Sequence, residues 1–187
     1  VDEDTRRDPA ALIAYLRQHK GDVANTTPTM FAAMLESLGN EPWPGKVAIL
    51  GAESIPAPLI HRLYENPANR NVVVYNLYGP TEACVEVAYH RMTASDWNRF
   101  IPIPIGLPVA GARLRLLDSN NQEAAMGVPG EICILGAPLA RGYHNREEET
   151  RKAFVPDPEN PRQRMYRTGD IGRRLSDSSI VFLSLIH

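Results

Sequence analysis

Two short polar segments of the sequence carry residue types suited to phosphate and nucleotide chemistry. In the first, VYNLYGPTE at residues 74–82, an apolar run leads directly into Gly79, and Thr81 and Glu82 follow. Ligands of open α/β sheets bind at the carboxyl ends of strands, so this turn is well placed to face a ligand. Tyr78 could stack on a base, the Thr81 hydroxyl suits a phosphate oxygen, and the Glu82 carboxylate suits Mg²⁺. The same pattern also fits an ordinary polar turn after a strand.

The second segment is YRTGD at residues 166–170, which we interpret as a compact polar turn. The Asp170 carboxylate could accept two hydrogen bonds from a ribose diol, although a Gly-Asp pair by itself usually marks only a turn. The sequence contains no GxxxxGK[ST], GxGxxG, HExxH or GxSxG motif, and its five histidines lack metal-ligand spacing.

Alternating helices and strands must position the first segment. Helical spacing of apolar residues predicts helices over residues 8–20, 27–39 and 56–64, with Asp8 as the cap of the first. Apolar runs predict strands at residues 23–25, 47–50 and 72–75, and the run at 47–50 is typical of a strand buried on both faces. This alternation predicts a parallel α/β sheet.

The second half of the sequence has a different texture. From residue 101 onward, glycines and prolines separate short apolar runs, including residues 113–117 and 131–135, which predicts a small β-rich unit. The one helix signal there spans residues 147–154, with acidic residues first and basic residues later. The apolar run at 180–187 is predicted as a strand that needs a partner, and no sequence follows it to supply one.

Composition excludes several classes of protein. The 187 residues include 20 Lys plus Arg and 22 Asp plus Glu, so the net charge of −2 provides no basic field for nucleic acid or an anionic membrane. The two cysteines, Cys84 and Cys133, are too few for a disulfide scaffold or a zinc site built on thiolates. No apolar run is long enough to span a bilayer. We expect a soluble, cytoplasmic protein without nucleic-acid or membrane partners.

Four motifs in order carry a family resemblance: NLYGPTE at residues 76–82, GEICILG at 130–136, LARGY at 139–143 and YRTGD at 166–170. With IGLP at 105–108 and FVPDP at 154–158 between them, the chain resembles the amino-acid adenylation domains of nonribosomal peptide synthetases, within the adenylate-forming superfamily. The resemblance implies part of the large N-terminal region of such an enzyme. Residues 1–98 would be the C-terminal part of an α/β nucleotide-binding subdomain, and residues 99–187 a β-rich subdomain.

The resemblance also implies roles for individual residues. The nucleotide-binding set would comprise Gly51, Ala52, Glu53, Asn76, Tyr78, Gly79, Thr81 and Asp170. In the family, the residue matching Tyr78 packs on adenine, the one matching Asn76 meets its edge, and the one matching Asp170 binds the ribose hydroxyls. Thr81 and Glu82 would be catalytic, Thr81 touching the α-phosphate and Glu82 holding Mg²⁺.

Two glycines of the family pattern are replaced in this sequence. Ala52 stands in a segment that resembles Gly-Gly-Glu, which is a mild change unless the position needs a positive φ. Ser178 stands in what is usually an Asp-Gly-x turn.

The positions that align with the family's side-chain pocket are Asn25, Ile49, Gly51, Leu77, Val85 and Glu86. Asn25 and Glu86 are polar, so a purely aliphatic substrate side chain is unfavourable, because a desolvated carboxylate needs a partner. The pattern is similar to threonine-type pockets, while Glu86 could instead meet a basic amine. Both interpretations stay open.

The reaction that the resemblance implies joins ATP and an amino acid into aminoacyl-AMP and pyrophosphate. The aminoacyl group then passes to the phosphopantetheine thiol of a peptidyl carrier protein, beside a condensation domain of the parent synthetase. The family's phosphate loop, its Phe-Asp-x-Ser motif and its Gly-Arg-x-Asp hinge are absent from the sequence, so we expect an internal fragment that is inactive alone. The alternatives are a fragment of an acyl- or aryl-CoA ligase and a non-catalytic remnant.

Overall fold

The computed structural model describes residues 1–99 and 101–185. The chain divides into two compact units, one formed by Val1–Leu77 with Arg91–Ile103 and the other by Tyr78–His90 with the chain from Pro104 onward. Within the described ranges, no helix has the length and apolar character needed to cross a membrane.

The first unit contains helices and parallel strands in alternation. Its elements are α1 (Glu3–Arg7), α2 (Pro9–Gln18), β1 (Val23–Thr26), α3 (Pro28–Leu38), β2 (Val47–Leu50), α4 (Ala57–Glu65) and β3 (Val73–Tyr78). Strand β2 pairs in parallel with both β1 and β3. The Asp8 carboxylate caps α2 as predicted, and α3 ends at Gly39. Helix α1, which Asp2 caps, was not predicted.

Strand β2 corrects one expectation about burial. Ala48 and Leu50 are fully buried, in one core with helical residues such as Ile60, whereas Val47 and Ile49 are only half-buried. Burial on both faces was therefore wrong for this strand, because the core packs against the face that carries Ala48 and Leu50.

The remaining elements are mostly antiparallel strands. They are β4 (Ala88–Met92), β5 (Leu107–Pro108), β6 (Ala112–Leu117), β7 (Pro129–Gly136), α5 (Glu147–Ala153), β8 (Phe154–Pro156), β9 (Arg164–Arg174) and β10 (Ile180–Leu185). In the second unit, β7 pairs with β6 and β9, and β9 also pairs with β8 and β10. Leu116, Ile132 and Ile134 are fully buried in its core. The predicted fold class, a parallel α/β sheet followed by a β-rich part, is confirmed.

Two predictions in the second unit were wrong in detail. Residues 166–170 do not form a turn between elements but lie inside β9, whose pairing with β7 shifts register between Glu131 and Cys133. The apolar run from Ile180 does form the predicted strand, β10, but its partner lies upstream, because β10 pairs with β9. The last two residues of that predicted run, 186 and 187, lie outside the described residues.

Candidate functional site

The loop after β3 is closed by its own backbone hydrogen bonds. The amides of Ala83 and Val85 donate to the Pro80 carbonyl oxygen at 3.0 and 3.1 Å, and the Val87 amide donates to the Tyr78 carbonyl oxygen at 2.8 Å. Residues Thr81–Ala83 form one turn of 3₁₀ helix. The loop therefore presents an exposed Thr81 and a partly buried Glu82 from a fixed backbone.

The same loop contains unusual backbone conformations. Cys84 and Val85 have φ angles of 63° and 69°, in the left-handed region that β-branched residues rarely adopt. The Val85 carbonyl oxygen would lie 2.5 Å from a Cβ atom at Gly79, so position 79 admits no side chain. Such conformations persist where the surrounding structure holds them, and they concentrate at functional loops. Of the predicted pocket residues, Val85 and Glu86 are both exposed on this loop.

Two residues predicted to bind nucleotide meet in the second unit. The Tyr78 hydroxyl donates a hydrogen bond to Asp170 Oδ2 at 2.5 Å. Burial raises the pKa of Asp170, the Tyr78 hydrogen bond opposes that rise, and the nearby Glu131 charge adds to it. Burial, followed by the bond to Asp170, also raises the pKa of Tyr78, so its phenol stays protonated at neutral pH. The Tyr78 phenol and the Asp170 carboxylate are thus held together by a hydrogen bond.

Side-chain hydrogen bonds hold the irregular part of β9 that carries Asp170. Thr168 Oγ1 donates to the Ile132 carbonyl oxygen at 2.7 Å and accepts from the Asp170 amide at 2.9 Å. The Gly169 amide, at a φ of 73°, donates to Glu131 Oε1 at 3.1 Å. These bonds replace ladder bonds between β7 and β9, and they explain why a segment with turn composition lies within a strand.

Glu82 is held by the segment at residues 139–143. The Tyr143 hydroxyl donates to Glu82 Oε1 at 2.6 Å, and the Ala140 amide donates to the Glu82 carbonyl oxygen at 2.7 Å. Burial raises the pKa of both Tyr143 and Tyr166, and contact with Glu82 raises each further. Both tyrosines lie in the sequence motifs at residues 139–143 and 166–170, but neither was predicted to have a role.

One carboxylate, that of Glu82, is the candidate protein ligand for magnesium. Among the described residues, no group of three or more His, Cys, Asp or Glu side chains could hold a metal ion. Mg²⁺ is commonly bound by one or two carboxylates, with water and phosphate oxygens at its other positions. Glu82, beside the Thr81 hydroxyl, could therefore hold Mg²⁺ together with a bound nucleotide.

In the first unit, strand register brings several predicted pocket residues to one face of the parallel sheet. Asn25 pairs with Ile49, and Ile49 pairs with Tyr75. Because side chains alternate along a strand, Leu77 shares the face of Tyr75. Tyr75 was not predicted for this face. Asn76, predicted to meet the adenine edge, is only 5% exposed and alternates to the opposite face.

In the segment after β2, Ala52 occupies the position where the family resemblance implies a glycine. Ala52 has a φ of 69°, so this position does need a positive φ, and an alanine side chain is unfavourable there. The Glu53 carboxylate accepts hydrogen bonds from the Thr29 amide at 3.0 Å and the Thr29 hydroxyl at 2.5 Å. Glu53 therefore binds the first turn of α3.

Comparisons with known proteins cover nearly the whole chain. A family model described as AMP-binding enzyme matches residues 1–144. Tyrocidine synthase 3 of Brevibacillus parabrevis is 34% identical over 181 residues, which cover 95% of this chain and 3% of the relative. Bacitracin synthase 1 of Bacillus licheniformis is 33% identical over 185 residues, which cover 98% of this chain and 4% of the relative. The chain thus spans only a small part, 3% and 4%, of the length of these relatives.

Solved structures agree with these relatives. An NRPS protein containing adenylation and PCP domains aligns with a TM-score of 0.83 at 31% identity, covering 95% of this chain and 36% of that chain. A crystal structure of a nonribosomal peptide synthetase aligns with a TM-score of 0.85 at 27% identity, covering 95% of this chain and 19% of that chain.

Proposed function

The chain belongs to the AMP-binding enzyme family, and we propose that its second unit binds the adenosine group of ATP within an amino-acid adenylation domain. The hydrogen bond between Tyr78 and Asp170 is the observation that carries this proposal. It joins a ring that can pack on a base to a carboxylate that can accept from ribose hydroxyls. In the irregular part of β9, the hydrogen bond from the Asp170 amide to Thr168 Oγ1 holds Asp170 in place for that role.

The reaction we propose is attack of an amino-acid carboxylate on the α-phosphate of ATP, giving aminoacyl-AMP and pyrophosphate. The residues present act by positioning and charge stabilisation rather than by covalent chemistry. The Thr81 hydroxyl donates to an α-phosphate oxygen, and the Glu82 carboxylate holds Mg²⁺. When bound, the metal ion neutralises charge on the phosphate oxygens.

The substrate side chain and the partners follow from the same proposal. The face that carries Asn25, Ile49 and Leu77 forms part of the side-chain pocket, for a threonine-like or a basic amino acid. A relative of solved structure contains adenylation and PCP domains, which supports a carrier protein as the partner of this domain. The carrier's phosphopantetheine thiol would accept the aminoacyl group.

Substitution of Asp170 tests the proposed adenosine site. Asp170→Asn should weaken AMP binding to the chain by about tenfold, which corresponds to the loss of a charge-assisted hydrogen bond. The same substitution should leave the weaker binding of 2′,3′-dideoxy-AMP unchanged, because that ligand has no ribose hydroxyls. Calorimetric titration measures both affinities, with Asp118→Asn in an exposed turn as the matched control. An equal loss for both ligands would contradict a ribose contact.

A further inference from the structure

The LARGY motif at residues 139–143 contacts Glu82 twice. The Ala140 amide fixes the Glu82 backbone by donating to its carbonyl oxygen at 2.7 Å, and the Tyr143 hydroxyl fixes the side chain by donating to Oε1 at 2.6 Å. The second contact joins residues that are 61 positions apart in the sequence. A main-chain bond and a side-chain bond from one segment leave little freedom for the Glu82 carboxylate.

Tyr143 is itself held in place. Its amide donates to Thr150 Oγ1 at 2.9 Å, and its ring packs edge-on against Phe154 with the centroids 5.8 Å apart. Gly142 admits this close approach, since a Cβ atom there would lie 2.4 Å from Thr150 Cγ2. Phe154 also packs against Tyr166 at 5.0 Å. The phenol that reaches Glu82 therefore projects from a supported position.

Holding the carboxylate before the metal binds has an energetic consequence. Ordering a glutamate side chain costs rotamer entropy, and a preset orientation removes that cost from the binding step. An ionised carboxylate offers about four lone-pair sites, so one phenol hydrogen bond leaves capacity for a cation. Groups that orient a metal ligand in this way typically change metal affinity when they are removed.

We propose that Tyr143 is a positioning residue that orients the Glu82 carboxylate for a divalent cation bound with a nucleotide. This role rests on the proposed function of Glu82 as the Mg²⁺ ligand. It also gives two residues of the LARGY motif a role, since Ala140 and Tyr143 both contact Glu82.

Tyr143→Phe tests the proposal because it removes only the hydroxyl and keeps the ring that packs on Phe154. The probe is Mn²⁺ with ATP, and the readout is paramagnetic broadening of the Glu82 carboxyl carbon in NMR spectra of the full chain. We expect the substitution to raise the Mn²⁺ concentration needed for half-maximal broadening by about tenfold. Tyr15→Phe in α2 is the matched control and should change nothing.

A second measurement needs no metal. Carbon relaxation should show the Glu82 side chain to be more ordered than that of exposed Glu86 in the same loop. Tyr143→Phe should reduce this difference, while the contact of Tyr166 with Glu82 remains. Equal order and equal broadening in wild type and Tyr143→Phe would overturn the positioning role. Failure of Glu82→Gln to reduce the broadening of the side-chain δ carbon of residue 82 would instead overturn the proposed metal role of Glu82. The side-chain order measured without metal would still decide whether Tyr143 orients Glu82.

Discussion

Ala52 and Ser178 occupy left-handed backbone, with φ angles of 69° and 70°. At both positions, the sequence lacks a glycine that the family resemblance led us to expect. A left-handed conformation costs an L-amino acid roughly 1–2 kcal/mol, whereas glycine adopts it without steric penalty. Ser178 lies in a turn where the Asp177 carboxylate accepts from the Ser179 amide at 2.9 Å, so local hydrogen bonding helps to maintain the strained residue.

Ala52→Gly and Ser178→Gly should therefore each stabilise the chain. We expect each to raise the free energy of unfolding by about 0.5–1 kcal/mol, because relief of strain exceeds the added entropy of the unfolded chain. Urea denaturation measures the change. Ala14→Gly, at an exposed position in the middle of α2, is the control and should lower stability by about 1 kcal/mol. If Ala52→Gly were as destabilising as the control, strain at position 52 would be disproved.

The loop between β3 and β4 depends on a close approach of two backbone segments. The Val85 carbonyl group lies close against Gly79, and the resulting turn fixes the positions of Thr81 and Glu82. Gly51 makes a useful comparison, because a Cβ atom there would meet its nearest neighbour, the Leu77 carbonyl oxygen, at an ordinary 3.5 Å.

Gly79→Ala should open this loop, whereas Gly51→Ala should be tolerated. Overpacking at position 79 should lower the free energy of unfolding by about 1–3 kcal/mol. The change at position 51 should stay within about 0.5 kcal/mol. Thermal unfolding of the two variants gives the comparison, and equal stabilities would mean that the contact between Val85 and Gly79 does not hold the loop.

Local patterns predicted most elements, and long-range pairing decided the rest. Helices α2, α3 and α4 were predictable because their apolar residues recur at helical spacing. Helices α2 and α3 also have N-cap residues of the usual types, Asp8 and Thr27. The position of Asp170 inside β9 could not be predicted, because Thr168 and Gly169 are residue types typical of a turn. Their hydrogen bonds are made to β7, more than 30 residues upstream. The contact of Tyr143 with Glu82 was missed for the same reason.

The whole chain joins an α/β unit to a β-rich unit, and its relatives confirm the predicted resemblance to nonribosomal peptide synthetases. The predicted subdomain boundary between residues 98 and 99 stays a prediction. The compact units divide the chain differently, since Tyr78–His90 groups with the later residues. That grouping places Tyr78, Glu82 and Asp170 in the second unit. Substitutions within the second unit are therefore enough to test the proposed adenosine binding.

The most direct test is a titration of the chain with AMP, followed by residue-resolved amide NMR. We predict that millimolar AMP shifts the amide resonances of residues 78–86 and 168–170, while inorganic phosphate at the same concentration does not. The two segments should respond together, because the bond between Tyr78 and Asp170 joins them. An unchanged spectrum in both segments at millimolar AMP, in a chain that remains folded, would contradict the proposed adenosine site.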